Sequence, residues 1–151
     1  MTGAVLAAGY HGFDGIAVGD RVQTGACEVT ADAIDTFADL TGDRFAIHMD
    51  DAAAKALGFP ARVAHGLLVL SLVDGLKNQA QAQFRAVASL GWDWTFARPV
   101  FIGDVISAEI TVLEKKSVSR PDRGILRLGF EVRRADGEIV QRGTNLLMVQ
   151  R

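Results

Sequence analysis

The feature that most constrains the fold of this chain is an apolar stretch of helical length over residues 67–76. Its apolar members point in almost every direction around a helix, and they are Leu67, Leu68, Val69, Leu70, Leu72, Val73 and Leu76. A helix that is apolar on all sides has to be buried on all sides. Residues 77–83 are more polar and are expected to meet solvent. The fold must therefore enclose the first half of this helix.

Two shorter helices and one strand are predicted ahead of the apolar helix. Thr30 is a good N-cap for the first helix, and Gly42 ends it as a C-terminal glycine does. The second helix covers about residues 50–57, because a glycine and then a proline follow it. The strand is expected over residues 20–29, where Gly25 weakens it.

After the apolar helix, the sequence changes to the alternation that is typical of strands. Apolar and polar residues alternate over residues 126–133, as in a strand with one buried face. Further strands are predicted from residue 87, over residues 106–112 and over residues 139–149, with a hairpin turn at residues 136–137. Antiparallel sheets commonly bury one face only. The economical fold is therefore α+β, a curved antiparallel sheet wrapped around the long buried helix.

Composition and charge narrow the class of protein. The 151 residues fit one domain, in which residues 1–15 are expected to be a frayed N-terminal tail and residues 16–151 the folded domain. The net charge of −2 argues against a nucleic-acid binder, and no segment has the length and apolarity of a membrane span. The single cysteine, Cys27, is expected to be a small buried residue. We expect a cytoplasmic protein.

Asp43 and His48 are candidates for acid–base chemistry. They lie five residues apart in a connection between two helices, and a bent connection can bring both onto one water. A carboxylate and an imidazole suit proton transfer near neutral pH, but the spacing also fits a capping aspartate and an ordinary polar histidine. A metal site that adds Asp50 and Asp51 has no second histidine at a ligand spacing. No metal is therefore predicted.

Gly66 lies at the start of the apolar helix. The first amides of a helix are unpaired and carry partial positive charge. Because glycine has no side chain, a ligand oxygen can approach the Gly66 N–H closely, as in an oxyanion hole. The alternative is that glycine only permits close packing of the helix start. The residues alone leave both interpretations open.

The remaining features of the sequence do not indicate a second functional site. Trp92, Trp94 and Phe96 alternate along a predicted strand and are expected to fill a sheet face rather than to bind a ligand. The sequence has no Ser–His–Asp or Cys–His arrangement with a recognisable local signature, and no glycine loop of the nucleotide-binding kind. The sequence therefore gives no support to a nucleophilic hydrolase or a nucleotide-binding enzyme.

Three segments together resemble the MaoC-like dehydratase family, the enoyl-CoA hydratases with the hot-dog fold. The resemblance runs in order over residues 18–149. The family motif Gly-Asp-x-Asn-Pro-x-His is matched by residues 42–48, and the His-Gly ahead of the central helix by residues 65–66. An aromatic residue followed by Pro-Val and Gly-Asp is matched within residues 96–104. The resemblance implies a hot-dog fold and an acyl thioester as substrate.

Two positions depart from the family motif. Phe45 and Ala46 replace the usual Asn and Pro, whereas Asp43 and His48 are kept. A phenylalanine at this point resembles the hydratase domains of the phenylacetate-degradation (PaaZ-like) proteins. That variant implies an unusual or bulky acyl group.

The resemblance implies a lyase that adds water to a trans-2-enoyl-CoA and gives an (R)-3-hydroxyacyl-CoA, or runs in reverse. Asp43 and His48 would deprotonate the water, and the Gly66 N–H would form the oxyanion hole. Substrate contacts are expected from Phe45, Val63, Ala64, His65 and Leu67. No cofactor is implied, because coenzyme A is part of the substrate, and unpaired sheet edges predict at least a homodimer. The alternatives are a non-catalytic acyl-binding subunit of a heteromeric dehydratase and a hot-dog thioesterase.

Overall fold

The computed structural model describes residues 3–151, and its helices precede its long strands. The helices are α1 (Ala31–Thr41), α2 (Ala46–Met49), α3 (Asp51–Ala56) and α4 (Gly66–Gln79). The strands are β1 (Gly9–His11), β2 (Arg21–Gln23), β3 (Cys27–Glu28), β4 (Ala82–Phe84), β5 (Ala86–Phe96), β6 (Val105–Ser117), β7 (Arg123–Arg134) and β8 (Ile139–Gln150). No helix in the described part of the chain is long and apolar enough to cross a bilayer.

The long strands form one antiparallel sheet around α4. Strands β2, β6, β7, β8 and β5 are neighbours in that order, and β3 also pairs with β6. The alternation predicted for residues 126–133 is confirmed, because Leu126, Leu128, Phe130 and Val132 are buried. On α4, Val69 and Val73 are completely buried and share one hydrophobic core with these strand residues. The predicted α+β fold is confirmed.

Helix caps fix both ends of the connection that carries Asp43 and His48. Thr30 caps α1 as predicted, since its Oγ1 accepts a 3.0 Å hydrogen bond from the Ala33 N–H. Helix α1 ends at Gly42, whose φ of 78° lies in the left-handed region that favours glycine. Asp50 then caps α3 by accepting a 3.1 Å hydrogen bond from the Ala52 N–H. The residues between Gly42 and Asp50 are thus held at both ends.

The single strand predicted over residues 20–29 is wrong, because the chain forms two short strands, β2 and β3, with a gap at residues 24–26. Within that gap, Thr24 Oγ1 accepts the Ala108 N–H at 2.9 Å in place of a backbone carbonyl. Cys27 of β3 is half-buried against the core rather than buried, and burial raises the pKa of its thiol.

The burial pattern predicted for α4 needs two corrections. The apolar first half is not buried on all sides, because Leu67 in the first turn is 57% exposed and Leu70 and Leu72 are only half-buried. Lys77 is only 5% exposed, although the polar second half of the helix was expected to face solvent. Its Nζ lies 2.9 Å from Asp74 Oδ1 and 5.9 Å from the centroid of the Trp92 ring. An acidic neighbour and an aromatic face thus allow this lysine to be buried.

The expected fraying of the N-terminal tail is wrong for residues 9–15. Strand β1 pairs in parallel with β4, and a 3-10 helix over Phe13–Gly15 follows it. The Phe13 ring is 6% exposed and occupies the space beside Gly124, where any Cβ would overlap it. Residues 1–2 of the predicted tail lie outside the described residues, and the division of the chain at residue 16 stays a prediction.

Candidate active site

All the predicted site residues except Phe45 meet in one cavity at the start of α4, with a volume of about 440 Å³. The predicted residues that line it are Asp43, His48, Val63, Ala64, His65, Gly66 and Leu67. Phe45 is not among its lining residues, because this residue precedes α2 and its side chain is 74% exposed. A hollow of about 460 Å³ lies among Asp93, Glu109 and Arg142 on the sheet, but neither buried histidine lines it. The cavity at α4 is therefore the candidate active site.

The backbone fixes His48 in one tautomer. Its side chain is 7% exposed, and Nδ1 lies 2.6 Å from the carbonyl oxygen of Val63. A carbonyl can only accept a hydrogen bond, so Nδ1 carries the proton and donates it. Nε2 of the neutral ring therefore presents a lone pair, which is the state that a general base requires.

His65 supports both Asp43 and His48. Its Nε2 donates a 2.8 Å hydrogen bond to the main-chain carbonyl of Asp43. Its ring stacks on that of His48, with centroids 3.9 Å apart and planes at 27°. The residue is 1% exposed, and its Nδ1 has no hydrogen-bond partner within residues 3–151. Sequence reasoning expected a substrate contact here, and the geometry adds a structural role for the same side chain.

Asp43 lines the same cavity. Its N–H donates to Thr41 Oγ1 at 3.2 Å, and its Oδ1 accepts the Phe45 N–H at 3.4 Å. Ligand atoms of Asp43, His48 and His65 all lie within 4.8 Å of one another. One water reaches two groups that far apart, since each hydrogen bond spans about 2.8–3.0 Å.

The same three side chains include the donor types that bind transition metals. The lone pair of an imidazole lies in the ring plane, however, and the rings of His48 and His65 lie in planes only 27° apart with centroids 3.9 Å apart, so their lone pairs do not converge on one ion. His48 Nδ1 and His65 Nε2 are also occupied by carbonyl oxygens. Asp50 and Asp51 are engaged elsewhere, since they accept the N–H groups of Ala52 and Arg62. These residues do not fit a metal in this arrangement, and the absence of a metal from the protein stays a prediction.

Both interpretations of Gly66 have structural support. A Cβ added here would lie 2.5 Å from Cδ2 and 2.7 Å from Cζ of Phe96, so close packing favours glycine. Gly66 is also the first residue of α4, its N-cap residue makes no side-chain capping bond, and it lines the cavity. The first amide of a helix has no intrahelical partner. This N–H is therefore free to bind a ligand oxygen.

Sequence reasoning missed Gln141, a cavity residue that is 1% exposed. Its Nε2 donates to the Gly66 carbonyl at 3.1 Å, and its Oε1 accepts the Trp94 indole N–H at 2.8 Å. Gln141 shares the buried face of β8 with Asn145, Leu147 and Val149. A polar residue at an inward position of an apolar alternation is the signal that indicates such a role. Phe96, expected in the core, is instead 53% exposed and lines the cavity.

Comparisons with known proteins agree with this fold and show the family of the chain. The family model described as MaoC like domain matches residues 15–132. The (R)-specific enoyl-CoA hydratase of Aeromonas caviae is 34% identical over 119 residues, which are 79% of this chain and 81% of that protein. A solved Archaeoglobus structure described as a monoamine oxidase regulatory protein has a TM-score of 0.87 and 32% identity, over 97% of this chain and 99% of that chain. A Mycobacterium tuberculosis protein with a double hotdog fold has a TM-score of 0.80 and 19% identity, over 93% of this chain and 44% of that chain, and confirms the predicted hot-dog fold.

Proposed function

Because the chain belongs to the family of MaoC-like domains, we propose that Asp43 and His48 catalyse the reversible addition of water to a trans-2-enoyl-CoA, giving an (R)-3-hydroxyacyl-CoA. The chain is a hydratase or dehydratase of acyl thioesters, as its family and its similarity to an enoyl-CoA hydratase indicate. One observation supports the choice of residues above all others. Asp43 and His48 line the same cavity at the start of α4, and the Val63 carbonyl selects the tautomer in which Nε2 of the neutral His48 ring carries the lone pair.

The proposed chemistry begins with a water between the Asp43 carboxylate and His48 Nε2. The water gives one proton to the Asp43–His48 pair as its oxygen attacks C3 of the enoyl group. The same proton is then delivered to C2, so that both side chains return to their starting states. The Val63 carbonyl keeps the proton on Nδ1 throughout and stabilises the imidazolium whenever Nε2 is protonated.

The second part of the proposal is the oxyanion hole. Negative charge develops on the thioester oxygen as the water attacks C3. We propose that the Gly66 N–H, at the positive end of a helix of 14 residues, stabilises that charge. One such donor is worth about 2.7–4 kcal/mol of transition-state stabilisation in a hydrolase.

Substrate and assembly complete the proposal. The reaction moves only water, so we infer no cofactor beyond the coenzyme A of the substrate. The apolar side chains of Ile47, Phe59 and Val69 line the cavity and suit an acyl chain. Phe45 lies outside the cavity, so only the resemblance to the family variant supports a bulky acyl group.

Strand β5 is a sheet edge whose residues 86–90 are exposed, which supports a homodimer or a larger homo-oligomer. We place the protein in the cytoplasm, because a single cysteine forms no disulfide within the chain.

A hydration assay tests this proposal. The purified protein is given crotonyl-CoA and several longer or branched enoyl-CoAs, with loss of the enoyl absorbance as the signal and the product chirality assigned. Asp43→Asn and His48→Gln should each lower kcat by about 10²–10⁴-fold, as expected for loss of an acid–base group. Asp39→Asn is the matched control, since it makes the same chemical change at an exposed position of α1.

The alternatives give different results in the same experiment. Release of free coenzyme A without an (R)-alcohol would identify a thioesterase. A folded wild-type protein that turns over none of the substrates would contradict the proposal and favour the non-catalytic subunit. Unchanged kcat in Asp43→Asn would remove this residue from the mechanism.

A further inference from the structure

Arg62 does not line the cavity, yet it holds the segment that carries the proposed catalytic residues. Its side chain is 15% exposed. Nε donates a 2.7 Å hydrogen bond to the main-chain carbonyl of His48, and Nη2 donates one of 2.6 Å to Asp35 Oδ1 on α1. Its main-chain N–H donates to Asp51 Oδ1 at 2.8 Å. One residue thus links α1, His48 and the start of α3.

The next residue, Val63, holds the same segment from the main chain. Its N–H donates to the Ile47 carbonyl at 2.9 Å, and its carbonyl accepts the His48 Nδ1–H at 2.6 Å. The two consecutive residues, Arg62 and Val63, therefore hold the peptide carbonyl and the imidazole of His48 respectively. A shift of Arg62 would change the position of the imidazole relative to the cavity.

Helix α2 needs such support because it is too short to be stable by itself. It has four residues, Ala46–Met49, and the last four carbonyls of any helix lack an intrahelical partner. The His48 carbonyl is one of these groups, and the guanidinium of Arg62 is its partner. Asp35 accepts from the other end of the guanidinium and fixes its plane.

We propose that Arg62 is a positioning residue for the hydration reaction, holding His48 so that Nε2 faces the reacting water, and that Asp35 acts through Arg62. This inference rests on the proposed function of His48. A displacement of about 1 Å in a catalytic group can cost about 100-fold in rate. Loss of Arg62 should therefore lower kcat while KM, which depends on the cavity wall, changes little.

Kinetics of four variants test the proposal. Arg62→Gln should lower kcat by about 10–100-fold, the loss that is typical when a residue that hydrogen-bonds to a metal ligand is replaced, with KM within about threefold of the wild type. Arg62→Lys, which can bind one partner at a time, should retain more activity, and Asp35→Asn should lower kcat by a smaller factor. Arg44→Gln is the matched control, because Arg44 also pairs with an α1 aspartate, Asp39, but that pair is exposed and none of its hydrogen bonds reaches His48.

The imidazole signals give a second readout that needs no turnover. The chain has three histidines, His11, His48 and His65, so their 15N resonances can be assigned by single substitutions. His48 should be the Nδ1–H tautomer in the wild type and in Arg44→Gln, and should become a mixture of tautomers in Arg62→Gln. If the wild type turns over no enoyl thioester, the proposed function fails, and these spectra still decide whether Arg62 positions His48.

A double mutant separates positioning from general destabilisation. In a His48→Gln background, Arg62→Gln should have no further effect on kcat, because the group that it positions is already gone. If the losses in kcat of the two substitutions are additive in the double variant, the proposal is overturned. It is also overturned if the kcat of Arg62→Gln lies within twofold of the wild type and the 15N signals of His48 are unchanged. If Arg62→Gln does not fold, Arg62→Lys and Asp35→Asn carry the same comparison.

Discussion

Replacing Gly66 with alanine separates the two interpretations of this glycine, close packing and an oxyanion hole. The added carbon would lie 2.5 Å from Cδ2 and 2.7 Å from Cζ of Phe96, well inside van der Waals contact. Phe96 is 53% exposed, so its ring can move toward solvent and relieve the overlap. Gly66 and Phe96 both line the cavity, so the methyl also takes space beside the Gly66 N–H.

The two interpretations predict effects of different size. Overpacking costs about 1–3 kcal/mol of stability. Because the exposed Phe96 ring can move aside, we expect Gly66→Ala to lower the free energy of unfolding by about 1 kcal/mol. In a chain of 151 residues, that loss lowers Tm by about 2–4 °C. Losing access to one oxyanion donor lowers kcat by about 10²–10³-fold. A Tm change this small would leave the protein folded at assay temperature, so the rate loss would have to come from the site.

A second substitution removes the overlap and leaves the crowding of the amide. Phe96→Ala provides space for the methyl, so Gly66→Ala in that background should have the same Tm as Phe96→Ala alone. Its kcat on crotonyl-CoA should stay about 100-fold below that of Phe96→Ala, because the methyl still stands beside the N–H. Thermal unfolding followed by circular dichroism and initial rates of hydration measure the two quantities.

The oxyanion reasoning has a clear point of failure. If kcat recovers together with Tm in the double variant, close packing is the whole reason for glycine at this position. The same conclusion follows if Gly66→Ala alone loses stability but keeps kcat within about threefold of the wild type.

Three further predictions concern other parts of the fold. Thr30→Ala should lower the free energy of unfolding in urea by about 1 kcal/mol through loss of the α1 cap, and a kcat changed more than twofold would contradict a purely structural role. Gln141→Leu should lower that free energy by about 1–3 kcal/mol, because it leaves the Trp94 indole N–H without its acceptor, and an unchanged urea midpoint would refute this. Burial raises the pKa of the Cys27 thiol, so the thiolate fraction at pH 8 is lower than in a free cysteine. Iodoacetamide should therefore react more slowly with the native than with the unfolded protein, and equal rates would contradict this prediction.

The elements that the sequence predicts well are those whose causes are local. The cap at Thr30 and the left-handed glycine at position 42 depend on residues within one turn of helix. The buried face of residues 126–133 follows from alternation alone. The burial of Lys77 could not be predicted, since it depends on Trp92 of a strand that follows in the chain. Burial of this kind depends on contacts between residues that are distant in the sequence, which a local pattern does not reveal.

The candidate site divides in the same way. Asp43, His48 and Gly66 could be proposed from their places at helix ends and from the family motif. The contact that fixes the tautomer of His48 could not, because Val63 is 15 residues away and contributes a main-chain carbonyl that no residue type signals. Arg62 and Gln141 were missed for a related reason, since each holds a main-chain carbonyl of a site residue.

This dependence on main-chain groups explains how positions 45 and 46 can depart from the family motif. Ala46 is the first residue of α2, where a proline fits equally well, because the N–H of a first helical residue has no intrahelical partner. The Ala46 carbonyl accepts the Asp50 N–H at 3.0 Å, and a proline would keep that carbonyl. The Phe45 side chain is exposed, and the contact between residues 45 and 48 is a 2.9 Å hydrogen bond from the His48 N–H to the Phe45 main-chain carbonyl, which any residue type provides. With Val63, His65 and Arg62 fixing the segment from outside, the motif can lose its Asn and Pro and still present Asp43 and His48 to one cavity.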